Sequence, residues 1–159
     1  MGTAARSRPL VGKYAFWVRA SSGINVAKFQ KATGAGMTIN IGEYSEGGSQ
    51  APMKEATRAS FSNVTLEHGV WQDEEIWAWV LQIIDMMKDS PFGSGVASPN
   101  QLRNFAIDQL RRDRTVLRTV HLLNCQPAGF KPGEFDNTSN DVQVEELELA
   151  LEYFTVETY

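Results

Sequence analysis

The chain is short of the residues that carry most enzyme and metal chemistry: it has one cysteine and two histidines in 159 residues. A lone Cys125 excludes an intramolecular disulfide framework and fits synthesis in a reducing compartment. His68 and His121 have no companions at metal-ligand spacing, so the expectation is no metal, no cofactor and no catalytic residue. Cys125 and His121 invite a nucleophile-and-base reading, but four positions along a strand place two side chains more than about 10 Å apart. A small buried thiol is the simpler reading. "GAG" at 34–36 lacks the third glycine and the following helix of a dinucleotide site, and reads as a turn. No apolar run is long enough to cross a bilayer, which argues against membrane insertion by the chain itself. The polar "MGTAARSRP" start lacks the apolar core of a signal peptide, so synthesis in the cytoplasm is expected. Basic clusters are scarce as well. The net charge is −4, and the one basic run, Arg111, Arg112 and Arg114, sits beside Asp108 and Asp113 in a turn-like stretch. Nucleic acid as the principal partner is therefore disfavoured.

What is present is an ordinary globular composition, with 42% hydrophobic and 21% charged residues, in a length that suits one domain with a real core. Residues 1–10 read as a flexible start and 11–159 as a single domain. "KYAFWVRA" alternates with Tyr14, Phe16 and Val18 on one side; "SSG" and "INVAKF" then suggest a hairpin. A short strand around Met37, Ile39 and Ile41 precedes a Gly-rich polar excursion over 42–58, read as a long loop. "RASFSNVTLEHG" offers another strand. Over 73–88 the period changes to helical, with Ile76, Trp77, Val80, Leu81 and Ile84 as the packing stripe and Trp79 off it. "SPN" at 98–100 could open a second short helix. "LRNFAIDQL" and "RTVLRTVHLLNC" flank the arginine tip as a hairpin, followed by a Pro- and Gly-rich loop over 126–140. The fold class expected is mainly β with a minor α part: two antiparallel sheets in a barrel or sandwich, with one flanking helix.

The ending "VEELELALEYF" is rich in helix formers, yet Leu147, Leu149, Leu151 and Tyr153 fall at every second position. A helix turns about 100° per residue and would scatter them, whereas a strand points all four toward a core. Propensity differs by tenths of a kcal/mol, while burying each large apolar group contributes about 1.5 to 3 kcal/mol. Burial decides for a strand. Its other face carries Glu146, Glu148 and Glu152. A solvated surface and a wet, negatively charged wall both fit that face.

"GEYSEGG" after a short strand, "FSNVTLEHGV" leading into "EEIWAWV", and "LLNCQPAGFKPGEFDNTSNDVQVEELELALEYF" resemble, in order, the tail-tube proteins of contractile phages and extracellular contractile injection systems. The resemblance runs from about Lys13 to Phe154. The stretch from Asp89 to Gln101 is longer than the family's usual link, and Cys125-Gln126-Pro127 stands where an aromatic often precedes the proline. The resemblance implies a non-enzymatic homohexameric ring, stacked into a hollow tube inside a contractile sheath. It further implies baseplate hub and terminal cap partners, with protein or DNA cargo in the bore. Assembly would take place in the bacterial cytoplasm, within a phage tail or an injection particle. Glu146, Glu148 and Glu152 would face the lumen, and Leu147, Leu149, Leu151 and Tyr153 would pack beneath the second sheet. Tyr44, Glu46, Gly47, Gly48 and Arg58 would belong to a loop reaching the adjacent ring. The type VI secretion ring protein and a small ligand-binding β-barrel are the alternatives; the barrel needs an apolar interior.

Overall fold

The computed structural model describes residues 15–21, 29–48, 51–69, 75–89 and 101–159. The expectations for 1–10, for most of "INVAKF" and for a helix at "SPN" lie outside those residues. The strands are β1 (Phe16–Ala20), β2 (Phe29–Thr33), β3 (Met37–Tyr44), β4 (Met53–Phe61) and β5 (Val64–Gly69). After the helix α1 (Glu75–Asp89) come β6 (Arg103–Leu110), β7 (Val116–Lys131), β8 (Val144–Ala150) and β9 (Tyr153–Thr158).

β7 is the strand on which the fold turns. Its first half pairs with β6 and β9, its second half with β8, so one 16-residue strand belongs to two sheets. The first sheet runs β1-β6-β7-β9 and the second β7-β8-β5-β2, all antiparallel. Val18, Ile107, Val120 and Val156 lie in one cross-strand row of the first sheet. Phe130, Leu147, Leu66 and Ala32 form a row of the second. The two sheets face each other over one core that includes Val18, Phe105, Leu122, Leu66, Leu147 and Leu149. The expected sandwich is therefore the architecture, without closure into a barrel.

Several local expectations change. The expected hairpin of "KYAFWVRA" with "INVAKF" falls on residues outside the described ones; among the described residues β1 pairs with β6, and β2 pairs with β5 in the other sheet. The expected loop from Gln126 begins six residues later, because β7 continues through Pro127 to Lys131. Proline is tolerated there because, among the described residues, this half of β7 pairs with β8 alone and carries a bulge between Pro127 and Gly129. The 42–58 excursion is likewise not an irregular loop. β3 and β4 pair along their whole length, with a bulge at Asn40/Ile41, leaving only 45–52 between strands.

The last strand is two strands. Asn124, with φ 52°, bends β7 where the chain passes from β8 to β9. Its amide donates to the Glu152 carboxylate at 2.7 Å, and the Glu152 N–H donates to the Leu123 carbonyl at 3.3 Å. Changing sheets resets which face looks inward. Leu147 and Leu149 are fully buried and Leu151 is partly so, but Phe154 rather than Tyr153 then packs on the core, and Tyr153 is half exposed.

α1 covers one end of the core with Ile76, Trp79, Val80 and Ile83, spaced i, i+3, i+4, i+7. The expected stripe is thus rotated. Ile76, Val80 and Ile84 do face the core, but Trp77 and Leu81 are exposed. Trp79 takes the inner position because its indole finds both a partner ring, Phe105 at 5.8 Å, and an acceptor, the Gln101 carbonyl at 2.8 Å. Residues two apart on a helix point nearly opposite ways, so Trp77 turns outward and leans on Phe130.

Candidate assembly surfaces

Alternation on β8 places Glu146 and Glu148 on the outer face of the second sheet. Register supplies their neighbours: Glu146 lies opposite Glu67 on β5 and Lys131 on β7, and Glu67 lies opposite Lys31 on β2. Two carboxylates directly opposite repel. The flanking ammonium groups resolve this, Lys131 binding Glu146 at 3.0 Å and Lys31 binding Glu67 at 2.5 Å. Both lysines are held above their ordinary pKa, first by the hydrogen bond to the carboxylate and then by its charge. Glu148 accepts from the Asn63 amide at 2.8 Å, and Glu152 from Asn124 at the corner. The face is hydrophilic but less acidic than the sequence suggests. Periodicity located the glutamates; only strand order reveals that Lys31, distant in sequence, sits among them.

The second surface is the β3–β4 ribbon. Cross-strand pairing puts Met37, Ile39 and Ile41 on one face with Phe61, Ala59 and Ala56. These three larger side chains remain 52%, 47% and 54% exposed. Tyr44, Glu46, Gly47 and Gly48 lie at the exposed outer end of the ribbon, with Gly48 at φ 101°, whereas Arg58, also exposed, pairs with Asn40 nearer its root. The ribbon's root is fixed. Gly34 has φ 108°, and a Cβ there would come within 2.1 Å of the Asn63 carbonyl, so glycine is required. At the other root Phe61 stands edge-on to Tyr153 and Phe154 at 5.2 and 5.5 Å.

The chemistry-bearing residues fall into structural surroundings. Cys125 is fully buried, and burial pushes its thiol up to about 12, far from a nucleophilic thiolate at neutral pH. His121 pairs with Glu157 at 3.2 Å, and His68 with Glu145 at 3.4 Å beside Phe29. On the outer face of the first sheet, Asp108 is 3% exposed and clamps three strands. It accepts from Arg19 at 2.9 Å and from the Thr119 hydroxyl at 2.7 Å. Burial raises its pKa, but these hydrogen bonds and the Arg19 charge outweigh it and hold the carboxyl below its ordinary value.

A two-sheet sandwich with a helix over one end of its core and a projecting ribbon defines the class. A family described as T4-like virus tail tube protein gp19 matches residues 12–155, and the chain belongs to that family: it is a tail-tube protein. Among solved structures it is similar to a chain of the PVC sheath-tube complex of an extracellular contractile injection system in its extended state. The TM-score is 0.73 and the identity 22%, covering 94% of this chain and 93% of that one. The PVC sheath/tube terminator gives 0.74 at 22% identity, covering 97% and 100%. Hcp1 from Flavobacterium johnsoniae gives 0.51 at 10% identity, covering 92% and 97%. These likenesses show a common fold. No curated protein sequence matches significantly.

Proposed function

We propose that this tail-tube protein forms hexameric rings that stack into a rigid hollow tube, driven by a contractile sheath through a target envelope while cargo passes along the bore. The observation that carries this is the two-faced second sheet. Leu147 and Leu149 are wholly buried beneath it, while its outer face presents Thr65, Glu67, Glu146, Glu148, Lys31 and Lys131 in paired rows. A broad face of that kind belongs against water, and in a ring it supplies the wall of the bore, with Glu152 at its corner. Paired charges leave few free groups to hold a passing polymer. Among the described residues β1, β9 and β2 are edge strands, and such edges are removed when neighbouring subunits join their sheets.

The work is mechanical and needs no catalytic group. Sheath, terminal cap and baseplate hub are the proposed partners, by analogy with structural neighbours from a sheath-tube complex, a tube-terminating cap and a baseplate. Cytoplasmic assembly into a phage tail or a released particle completes the reading. A type VI secretion ring is the second reading, favoured by the likeness to Hcp1, but the much higher TM-scores with injection-system tubes support the first. Replacing Glu146 and Glu148 by Lys tests the bore: rings persist and cargo is slowed or trapped. Unchanged delivery contradicts it.

A further inference from the structure

We propose that Asn124 sets the angle between the two sheets and, through it, the number of copies that close one ring. This rests on the tube reading and adds the residue that fixes the ring's size. β7 belongs to both sheets, and its partner on one side changes between Leu123, opposite Tyr153 of β9, and Gln126, opposite Ala150 of β8. Asn124 stands in that gap. On the other side, β6 places Phe105 opposite Leu122 and Arg103 opposite Cys125, so Leu123 and Asn124 together face the single residue Asn104. Such a bulge bends its strand and increases the local twist. Asn124 has φ 52°, a left-handed conformation that a short polar side chain tolerates and a β-branched one does not.

Three other segments hold the bend. The Asn124 N–H donates to the Asn104 side-chain carbonyl at 2.9 Å, and the Asn104 N–H donates to the Ser21 hydroxyl at 3.2 Å, just beyond β1. The Asn124 amide donates to Glu152 at 2.7 Å, and the Glu152 N–H to the Leu123 carbonyl at 3.3 Å. Two passages of the chain between the sheets, within β7 and at 151–152, are thereby fixed to each other. Asn104, Asn124 and Glu152 are all exposed, and hydrogen bonds that replace bonds to water add little net stability. A left-handed residue pinned from several sides at such a place controls direction more than stability. In the ring the second sheet lines the bore and the first lies outside it, so the angle between them gives each copy its taper. Closing a ring of six takes about 60° per copy and a ring of seven about 51°, so a change of about 9° at this joint alters the count.

Cryo-EM class averages of rings from the full chain, counted by symmetry, test this, with the urea midpoint of each variant as the control for stability. The native chain gives rings of one size. Asn124→Gly keeps the left-handed backbone but drops the bond to Glu152, and is expected to give rings of more than one size at a near-native urea midpoint. Asn124→Val excludes the left-handed backbone and is expected to move the whole population to another size; where it fails to fold, the Gly variant decides. Glu152→Gln retains an acceptor for the Asn124 amide and is expected to keep the native size. Rings of the native size alone from either Asn124 variant, whatever its urea midpoint, overturn the assignment while leaving the tube. A folded Asn124→Gly chain that forms no ring, or mixed sizes from Glu152→Gln, do the same. Monomers of the native chain at every concentration overturn both.

Discussion

β8 and β3 carry the same kind of code, large apolar side chains at alternate positions, and meet opposite fates. On β8, Leu147 and Leu149 are completely buried; on β3, Met37, Ile39 and Ile41 remain about half exposed. β8 lies between β5 and β7 under a second sheet, whereas among the described residues β3 pairs with β4 alone. Alternation therefore states that a face must be covered without stating by which molecule. In the proposed tube, the covered faces specify the subunit and the uncovered ones specify the assembly.

Matched substitutions sharpen that contrast. Leu149→Asp puts an unpaired charge at a fully buried site, and a loss of at least about 4 kcal/mol, read by denaturant unfolding, is expected. Trp79→Ala removes the indole from the core and is expected to cost about 3 to 5 kcal/mol, while Trp77→Ala, on the exposed side, costs well under half of that. Asp108→Asn weakens the clamp across β1, β6 and β7 by about 2 to 3 kcal/mol. Because the folded carboxyl titrates below its unfolded value, it contributes stability above about pH 4 that is lost as pH falls through the folded value. Urea midpoints measured across pH 2 to 6, a window of about four units around that carboxyl, should show this dependence in the native chain and less of it in the Asn variant. Ile39→Asp, on the ribbon, should change the stability of the isolated subunit by no more than about 0.5 kcal/mol and abolish rods. A ribbon substitution as damaging to the monomer as Leu149→Asp would erase the contrast.

The sequence made legible whatever a chain segment settles by itself. The helix over Glu75–Asp89, the hairpin of β6 and β7, and the buried Leu147 and Leu149 all follow from local periodicity. It could not show that Trp79 would displace Trp77 from the inner face, since the acceptor that decides it is the distant Gln101 carbonyl. Nor could it show that the chain changes sheets at Leu151–Glu152, because a strand's alternation carries no record of which sheet it joins. The second half of the ribbon was hidden because the extra residue of the bulge, Thr57, lies on β4 and breaks that strand's alternation, while β3 alternates without interruption from Met37 to Ile41. Lys31 and Glu67 joined the charged face through register alone. The tail-tube family was legible from motif order, since each motif is weak and their sequence is not.

The most direct test is a cryo-EM reconstruction of the purified full-length protein at high concentration. Hollow six-fold rings or rods, with Glu146 and Glu148 bordering the bore, are the expected result. Compact monomers, or rings whose glutamate face points away from the axis, would contradict the account.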